Sequence, residues 1–263
     1  MKNITKDQSR SFYNNFAAQQ RITGVNSRHT SIFNKALSLG LKTNHSVLEI
    51  GCGIGTLSSL LIPYLRYGEL FSCDLSPESI KVAQEAFAQW QNCEFHVLDG
   101  SEFILDRKFD MVIMPDSCEH IPVEHHNRMF KNISKMLKDD GILYIHIPHP
   151  YNLDWFRVYE KDKLQIIDQS LYLNEFCKTI EDTDFYVFSE EPYNVWSSLR
   201  LGEWWGKYTH RVLRKKEDFS DPKHAPKPAE TLMPETKIKS KLKRIPFLVS
   251  IVRLLRKTFG RAV

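Results

Sequence analysis

Residues 47–56, with the sequence VLEIGCGIGT, constrain the fold of this chain more than any other stretch. A short apolar run meets glycines at positions 51, 53 and 55, and a helical pattern of leucines follows at 57–61. Because glycine tolerates positive φ and carries no Cβ, the main-chain N–H groups of such a turn can approach a ligand closely. Similar turns also occur where a helix simply packs on a strand. The stretch therefore indicates either a nucleotide-like cofactor site or close packing.

Acidic residues after the next two apolar runs favour the cofactor site. Asp74 ends the run 69–74, about 20 residues after the glycines, where a carboxylate can accept both hydroxyls of a ribose. Asp99 ends the following apolar run in the same way. The glycine turn therefore does not stand alone.

Five segments resemble, in order and spacing, the motif series of class I S-adenosylmethionine-dependent methyltransferases. Glu49 stands just ahead of the glycines in an E-x-G-x-G-x-G form that is typical of this family and unlike the dehydrogenase fingerprint. The match covers about residues 45–150. The segments are VLEIGCGIGT at 47–56, CDLSPESIKVAQ at 73–84, FHVLDG at 95–100, KFDMVIMPDSCEHIP at 108–122 and MLKDDGILYIHIP at 136–148.

The resemblance implies an α/β, Rossmann-like fold with a seven-stranded, mostly parallel sheet and an antiparallel last strand, plus a C-terminal helical tail. It implies S-adenosyl-L-methionine as cofactor, with Asp74 on the ribose hydroxyls and Asp99 near the adenine amine. A binding module without catalysis is disfavoured because none of the cofactor positions is degraded. The positions that the resemblance assigns to the cofactor are Tyr13, Glu49, Gly51, Cys52, Gly53, Gly55, Asp74, Leu75, Asp99, Gly100 and Met114.

Alternating apolar runs and helical patterns extend the fold prediction along the chain. Right-handed βαβ units and a parallel sheet follow from this alternation. Two helices, broken at 23–26, are predicted within 9–39, and family analogy makes the last two strands, at 185–188 and 208–213, an antiparallel pair. The other strands are predicted near 46–50, 69–74, 93–98, 109–115 and 141–147, and the other helices near 56–66, 77–90, 101–105 and 122–138.

Four regions are predicted. They are an N-terminal helical lid (1–44), a cofactor-binding catalytic domain (45–216) with a substrate insertion near 152–182, a proline-rich linker (217–236) and a basic amphipathic helix (237–263). The last region holds nine Lys or Arg and no Asp or Glu, so the net charge of +4, less nine, leaves −5 on the rest of the chain.

The basic helix is expected to hold the chain on an anionic membrane surface. It could equally pack on its own domain or on a second subunit, as a homodimer contact. Nucleic acid is not expected as a partner because the body of the chain is acidic. The five cysteines include no C-x-x-C pair, which predicts a cytoplasmic protein without structural zinc. No apolar run reaches 18 residues, so the predicted membrane association is peripheral, on the inner face.

Transfer of a methyl group to a hydroxyl requires alignment of the acceptor and a base that removes its proton. The candidates for this base follow the fourth and fifth strands and are Asp116, Glu119, His120, His146 and His149. Of these, His120, His149 and Asp116 are the predicted catalytic residues. A neutral imidazole titrates near the working pH, which favours His120 or His149 as base. Either histidine could instead cap a helix or hold a loop. No metal is required by this interpretation.

The acceptor is predicted to be a sugar hydroxyl in glycan or lipid-linked saccharide biosynthesis. Segments 19–29 and 164–169 resemble bacterial methyltransferases of surface-polysaccharide type. The alternative is an O- or N-methyltransferase for a small quinone, polyketide or amine. The fourth strand ends without the Asn/Asp-Pro-Pro-Tyr/Phe motif of nucleic-acid amino-methyltransferases, which argues against an exocyclic base amine.

Overall fold

The structure is a computed structural model, and it describes residues 4–195 and 206–217. The described residues up to Lys216 belong to one compact unit. The helices are α1 (Lys6–Thr23), α2 (Ser27–Ser38), α3 (Ser58–Tyr64), α4 (Pro77–Ala86), α5 (Val123–Met136), α6 (Pro150–Tyr159) and α7 (Leu173–Thr179). The strands are β1 (Ser46–Ile50), β2 (Glu69–Asp74), β3 (Cys93–Val97), β4 (Phe109–Pro115), β5 (Leu137–Pro148), β6 (Phe185–Asn194) and β7 (Lys207–Lys215).

The strands form one seven-stranded sheet in the order β3-β2-β1-β4-β5-β7-β6. The pairs from β3 to β5 are parallel, and β7 runs antiparallel to both β5 and β6. The predicted mostly parallel sheet with an antiparallel last strand is therefore confirmed. The predicted C-terminal helix, and the linker apart from Glu217, lie outside the described residues.

Helices cover both faces of this sheet, and each face has its own hydrophobic cluster. Because side chains alternate along a strand, Val112 of β4 joins the cluster of α5 and α7, while Ile113 joins that of α2, α3 and α4. Burial on both faces explains why the central strands appear as continuous apolar runs in the sequence. Because both faces are apolar, polar side chains are accommodated at the carboxyl edge of the sheet.

The break between the first two helices sets the position of the α2 N-terminus. Gly24 adopts φ +58°, and the Asn26 side chain accepts hydrogen bonds from the main-chain N–H groups of Arg28 and His29. The His29 ring accepts in return from the Asn26 N–H at 3.3 Å, which completes a capping box. The cap fixes the backbone that carries the Arg28 side chain.

Several boundaries and one element differ from the prediction. Residues 101–105 form no helix, because Ser101 donates from both its N–H and its hydroxyl to Asp99 and so forms a local turn instead. α5 ends at Met136, and β5 begins directly at Leu137, so Gly141 lies within a strand and does not close a helix. The insertion near 152–182 contains α6 and α7, but residues 164–172 between them are irregular.

Within the described residues, no helix combines the length and the apolar character needed to cross a membrane.

Candidate active site

A cavity of about 1100 Å³ lies along the carboxyl ends of the strands from β3 to β5. Ligands bind at this edge in open parallel sheets. Residues from α1, the start of α2, α6 and the segment 162–168 complete its wall. The predicted site residues that line it are Tyr13, Glu49, Gly51, Cys52, Gly53, Asp74, Leu75, Asp99, Gly100, Asp116 and His120.

The glycine turn serves both packing and access. Gly51 adopts φ +85°, and a Cβ there would collide with the Ser117 side chain, whose Oγ would lie 2.9 Å away. Ser117 in turn donates from Oγ to the Ile50 carbonyl at 2.8 Å, so the turns after β1 and β4 are joined. Gly53 adopts φ +54°, and its N–H donates to Oδ2 of Asp74 at 2.8 Å. The turn therefore leaves bare backbone at the cavity wall.

Glu49 is a fully buried carboxylate beneath this turn. Its Oε2 accepts hydrogen bonds from Ser58 Oγ at 2.6 Å and from Ser72 Oγ at 2.9 Å. Its Oε1 is buried and has no hydrogen-bond partner among the described residues. Burial raises the pKa of Glu49 to about 7, although both serines oppose the rise. One oxygen is therefore available to a donor from a ligand.

Asp74 and Asp99 place two more carboxylates on the cavity wall. Asp74 accepts from the N–H groups of Gly53 and Ser76, and burial raises its pKa. Asp99 contacts Lys6 Nζ at 2.6 Å. Burial would raise the pKa of Asp99, but the bonds from Lys6 and Ser101 outweigh it and lower the pKa.

Three predicted site residues do not line the cavity. A Cβ at Gly55 would lie 2.7 Å from the Phe87 ring, so this glycine permits packing of the turn against the end of α4. Met114 is 0% exposed, because the alternation of β4 points it into the cluster beneath α5. The His149 ring accepts from the Tyr151 N–H and caps α6. The structure thus gives these three a packing or capping role.

Asp116 is engaged on both oxygens. Its Oδ2 lies 3.1 Å from Arg28 Nε, and its Oδ1 lies 2.6 Å from Nδ1 of the buried His146, whose Nε2 meets the Tyr193 hydroxyl. It adopts φ +48°, which an aspartate tolerates better than most residues. Burial opposes ionisation, but Arg28 and His146 prevail and hold its pKa well below the ordinary value. This argues for a positioning role rather than for the predicted role as base.

His120 lies on the cavity wall between two carboxylates. Its Nδ1 is 2.6 Å from the Ile167 carbonyl and 3.2 Å from Asp168 Oδ1, and its Nε2 is 3.7 Å from Glu119 Oε1. Burial disfavours the imidazolium, but Glu119 and Asp168 outweigh it and raise the pKa to about 9. His120 is therefore protonated at neutral pH, contrary to the neutral imidazole expected from the sequence.

Within the described residues, no group of three or more His, Cys, Asp or Glu side chains is arranged to hold a metal ion.

Residues 48–143 match the model of a family described as a methyltransferase domain. The sheet order and flanking helices also match the fold of solved class I S-adenosylmethionine-dependent methyltransferases. Two solved structures with this fold, N-methyltransferase NodS from Bradyrhizobium japonicum WM9 and magnesium protoporphyrin IX methyltransferase from Synechocystis PCC 6803, contain S-adenosylhomocysteine, the product form of S-adenosylmethionine. The cavity fits such a molecule, since Gly53 offers bare backbone, Glu49 keeps an oxygen without a donor, and carboxylates suit both ribose hydroxyls and a sulfonium cation.

Curated relatives match part of the chain. A putative methyltransferase of Invertebrate iridescent virus 6 is 30% identical over 108 residues, which are 41% of this chain and 38% of the relative. A malonyl-[acyl-carrier protein] O-methyltransferase of Acetivibrio thermocellus is 31% identical over 110 residues, 41% of this chain and 37% of the relative. The chain thus spans less than half the length of these relatives.

Solved structures share the fold. Magnesium protoporphyrin IX methyltransferase from Synechocystis PCC 6803, solved with bound S-adenosylhomocysteine, has a TM-score of 0.58 at 21% identity, covering 80% of this chain and 99% of that one. The putative methyltransferase in complex with the Haloferax volcanii Trm112 activator has a TM-score of 0.63 at 18% identity, covering 80% and 98%.

Sequence reasoning misses several residues of the methyltransferase cavity. Arg28 has a usable signal, because Asn26 and His29 have capping-box spacing and so predict a helix start beside it. Glu119 is among the candidates that follow the fourth strand, but no sequence pattern favours it over His120. Gln165 and Asp168 lie in the segment 164–169, which the sequence marks only by a resemblance, and this irregular segment has no periodic pattern that would place their side chains.

Proposed function

We propose that the protein is an S-adenosylmethionine-dependent O-methyltransferase that acts on a sugar hydroxyl in glycan or lipid-linked saccharide biosynthesis. The observation that carries the proposal is a set of buried oxygen atoms that have no hydrogen-bond donor among the described residues: both carboxylate oxygens of Glu119 and Oε1 of Gln165. Both residues line the cavity. Burying such acceptors unpaired is costly, so a ligand that brings hydroxyl donors suits this wall.

In this proposal the cofactor occupies the β3–β1 part of the cavity. Gly51 and Gly53 present backbone to its methionine and ribose, Asp74 accepts from the ribose hydroxyls, and Asp99 lies near the adenine. Glu49 supplies its free Oε1 to a donor of the cofactor. When bound, the cofactor would supply a methyl group on a sulfonium sulfur. The acceptor oxygen would bond to the methyl carbon, and the rest of the cofactor would leave as a thioether.

The β4–β5 part of the cavity suits a neutral, hydroxylated acceptor. Its cations are charge-compensated: Arg28 by Asp116, and Lys163 by Glu160. Phe156 adds an aromatic ring to the wall. Planar polar side chains next to an aromatic face can bind the hydroxyls and the apolar face of a sugar ring together.

A small-molecule acceptor is the second candidate. Apolar side chains share the same wall, namely Leu153, Phe156, Leu164 and Ile167, and these could hold an aryl or acyl group. Relatives named as malonyl-[acyl-carrier protein] O-methyltransferases and sphingolipid C9-methyltransferases support keeping this alternative.

An acceptor screen tests the proposal. The protein is incubated with methyl-labelled S-adenosylmethionine and two panels: free, nucleotide-linked and lipid-linked sugars, and quinols, aryl hydroxyls, acyl carboxylates and amines. Asp74→Ala serves as the background control. We expect label in sugars. Label confined to the second panel would overturn the sugar assignment, and no label in either would overturn the activity itself.

The basic segment 237–263 is proposed to hold the enzyme on an anionic membrane surface, with packing on its own domain or on a second subunit as the alternatives. Co-sedimentation of the full chain and of a chain ending at Glu217 with anionic vesicles tests this. Equal recovery of both chains would contradict the membrane role.

A further inference from the structure

We propose that Glu119 is the base that accepts the acceptor's proton, and that Asp168 is a positioning residue that holds His120 as an imidazolium beside it. The inference rests on the proposed methyl transfer and names a residue that the sequence did not select as base.

The placement of Glu119 is unusual for a structural carboxylate. It lies in the 3-10 turn Cys118–His120 that follows β4, it is 1% exposed, and it lines the cavity. Neither of its carboxylate oxygens has a hydrogen-bond donor among the described residues. A buried carboxylate without a donor costs several kcal/mol unless a partner arrives. The O–H group of an acceptor in the cavity is such a partner.

His120 cannot fill the same role at neutral pH. Its Nδ1 faces the Ile167 carbonyl and the Asp168 carboxylate, both acceptors, so this nitrogen carries a hydrogen. Because two carboxylates flank the ring, its pKa is raised to about 9, and no lone pair is free to take a proton. The imidazolium instead supplies positive charge 3.7 Å from Glu119 and favours its ionised form.

The segment 165–169 locks this arrangement in place. The Gln165 N–H donates to Asp168 Oδ2 at 2.6 Å, which orients the carboxylate toward His120. The Gln169 N–H and Nε2 both donate to the Glu119 carbonyl at 3.1 Å, and Nε2 also donates to the Ile121 carbonyl at 2.6 Å. The segment 165–169 therefore fixes the backbone of Glu119 and orients the Asp168 carboxylate, which keeps His120 protonated.

Proton transfer to Glu119 balances without any further reagent. The acceptor O–H bond breaks and its proton forms an O–H bond on Glu119. The electron pair left on the acceptor oxygen would form the bond to the methyl carbon as the carbon–sulfur bond of the sulfonium breaks, with that bond's electron pair remaining on the sulfur. Glu119 then returns the proton to water after product leaves. Burial raises the pKa of Glu119, and His120 opposes the rise. The base is the ionised form, whose share grows with rising pH, and the raised pKa makes this form a stronger base than an exposed carboxylate. The titratable or charged groups that interact with it are Tyr13, Arg28, Asp116, Cys118, His120, Asp168 and Tyr208.

Glu119→Gln tests the base directly, with the acceptor that wild type methylates best. We expect kcat to fall about 10²–10⁴-fold, while KM and the affinity for S-adenosylhomocysteine stay unchanged. Glu119→Asp should restore part of kcat. The matched control is Glu124→Gln, an exposed glutamate at the start of α5, which should leave kcat unchanged.

A pH series separates the base from a structural role. Wild-type kcat should rise with pH as Glu119 ionises, at a pH above the range of an ordinary carboxylate, and this limb should vanish in Glu119→Gln. In Asp168→Asn, the His120 pKa measured by NMR should fall from about 9, and the rate should fall at neutral pH. Wild-type turnover that Glu119→Gln retains would overturn this inference alone, whereas wild type without any methyl transfer would overturn the proposed function with it.

Discussion

At residue 51 the absence of a side chain satisfies two requirements at one position. The backbone has φ +85°, and the Ser117 side chain occupies the space that a Cβ would need. Gly24 has a similar backbone, with φ +58°, but nothing lies within 4 Å of its Cβ position. A comparison of substitutions at these two glycines therefore separates the effect of backbone strain from that of steric collision.

Gly51→Ala should destabilise the protein more than Gly24→Ala. Both substitutions add about 1–2 kcal/mol for a left-handed residue. Only Gly51→Ala adds about 1–3 kcal/mol of overpacking against Ser117 and pushes the turn away from the cavity. Thermal unfolding should show a Tm lower by several degrees in Gly51→Ala than in the control. Equal Tm values would mean that the turn after β4 moves aside with no loss of stability.

The buried Glu49 should make stability fall with rising pH. Its folded pKa of about 7 exceeds the ordinary value of 4.5, so between these pH values the folded state binds the extra proton and the slope of stability against pH is negative. The rise corresponds to up to about 3 kcal/mol. The Tm of Glu49→Gln relative to wild type should therefore increase from pH 5 to pH 8.5. Parallel Tm curves across this range would contradict the assignment.

At the scale of elements, the start of α2 is joined to the end of β4 by the Arg28–Asp116 ion pair. Arg28 also donates from Nη1 to the Tyr208 hydroxyl of β7 at 3.1 Å, and Asp116 contacts His146 of β5. One charged pair thus connects a helix to three strands. Removing one partner should leave the other charge buried without compensation.

Arg28→Met should destabilise the protein by about 3 kcal/mol, because Asp116 then loses its main cation. The double variant Arg28→Met/Asp116→Asn should recover part of this loss, since the uncompensated charge is gone. Chemical unfolding of the single and double variants measures both the stability lost in Arg28→Met and the part recovered in the double variant. Additive losses in the double variant would show that the pair is not coupled.

The elements are predictable to the extent that local patterns decide them. β1, β2 and β4 match their predicted bounds, because apolar runs buried on both faces leave a clear signal. The end of α5 differs from the prediction, since Leu137 continues a helical apolar pattern but pairs in the sheet beside Phe109. The helix expected at 101–105 gives way to the bonds between Ser101 and Asp99, which only the folded chain makes visible.

At the scale of the whole molecule, the cavity combines parts of very different predictability. Its cofactor part comes from consecutive strand ends, so the motif series alone is enough to place Gly53, Asp74 and Asp99 together. Its other part depends on where the insertion folds. Asp168 is 48 residues from His120 along the chain, and no periodicity brings them into contact. The protonation state of His120 is therefore not predictable from the sequence.

The central claim, that this cavity binds S-adenosylmethionine through its strand-end carboxylates, is tested most directly by calorimetry. Wild type and the exposed control Glu78→Gln of α4 should bind the cofactor alike, while Asp74→Ala should bind at least about 10-fold more weakly, because the ribose hydroxyls lose their acceptor. Unfolding curves should show that the variants remain folded. Undiminished binding in a folded Asp74→Ala protein would contradict the claim.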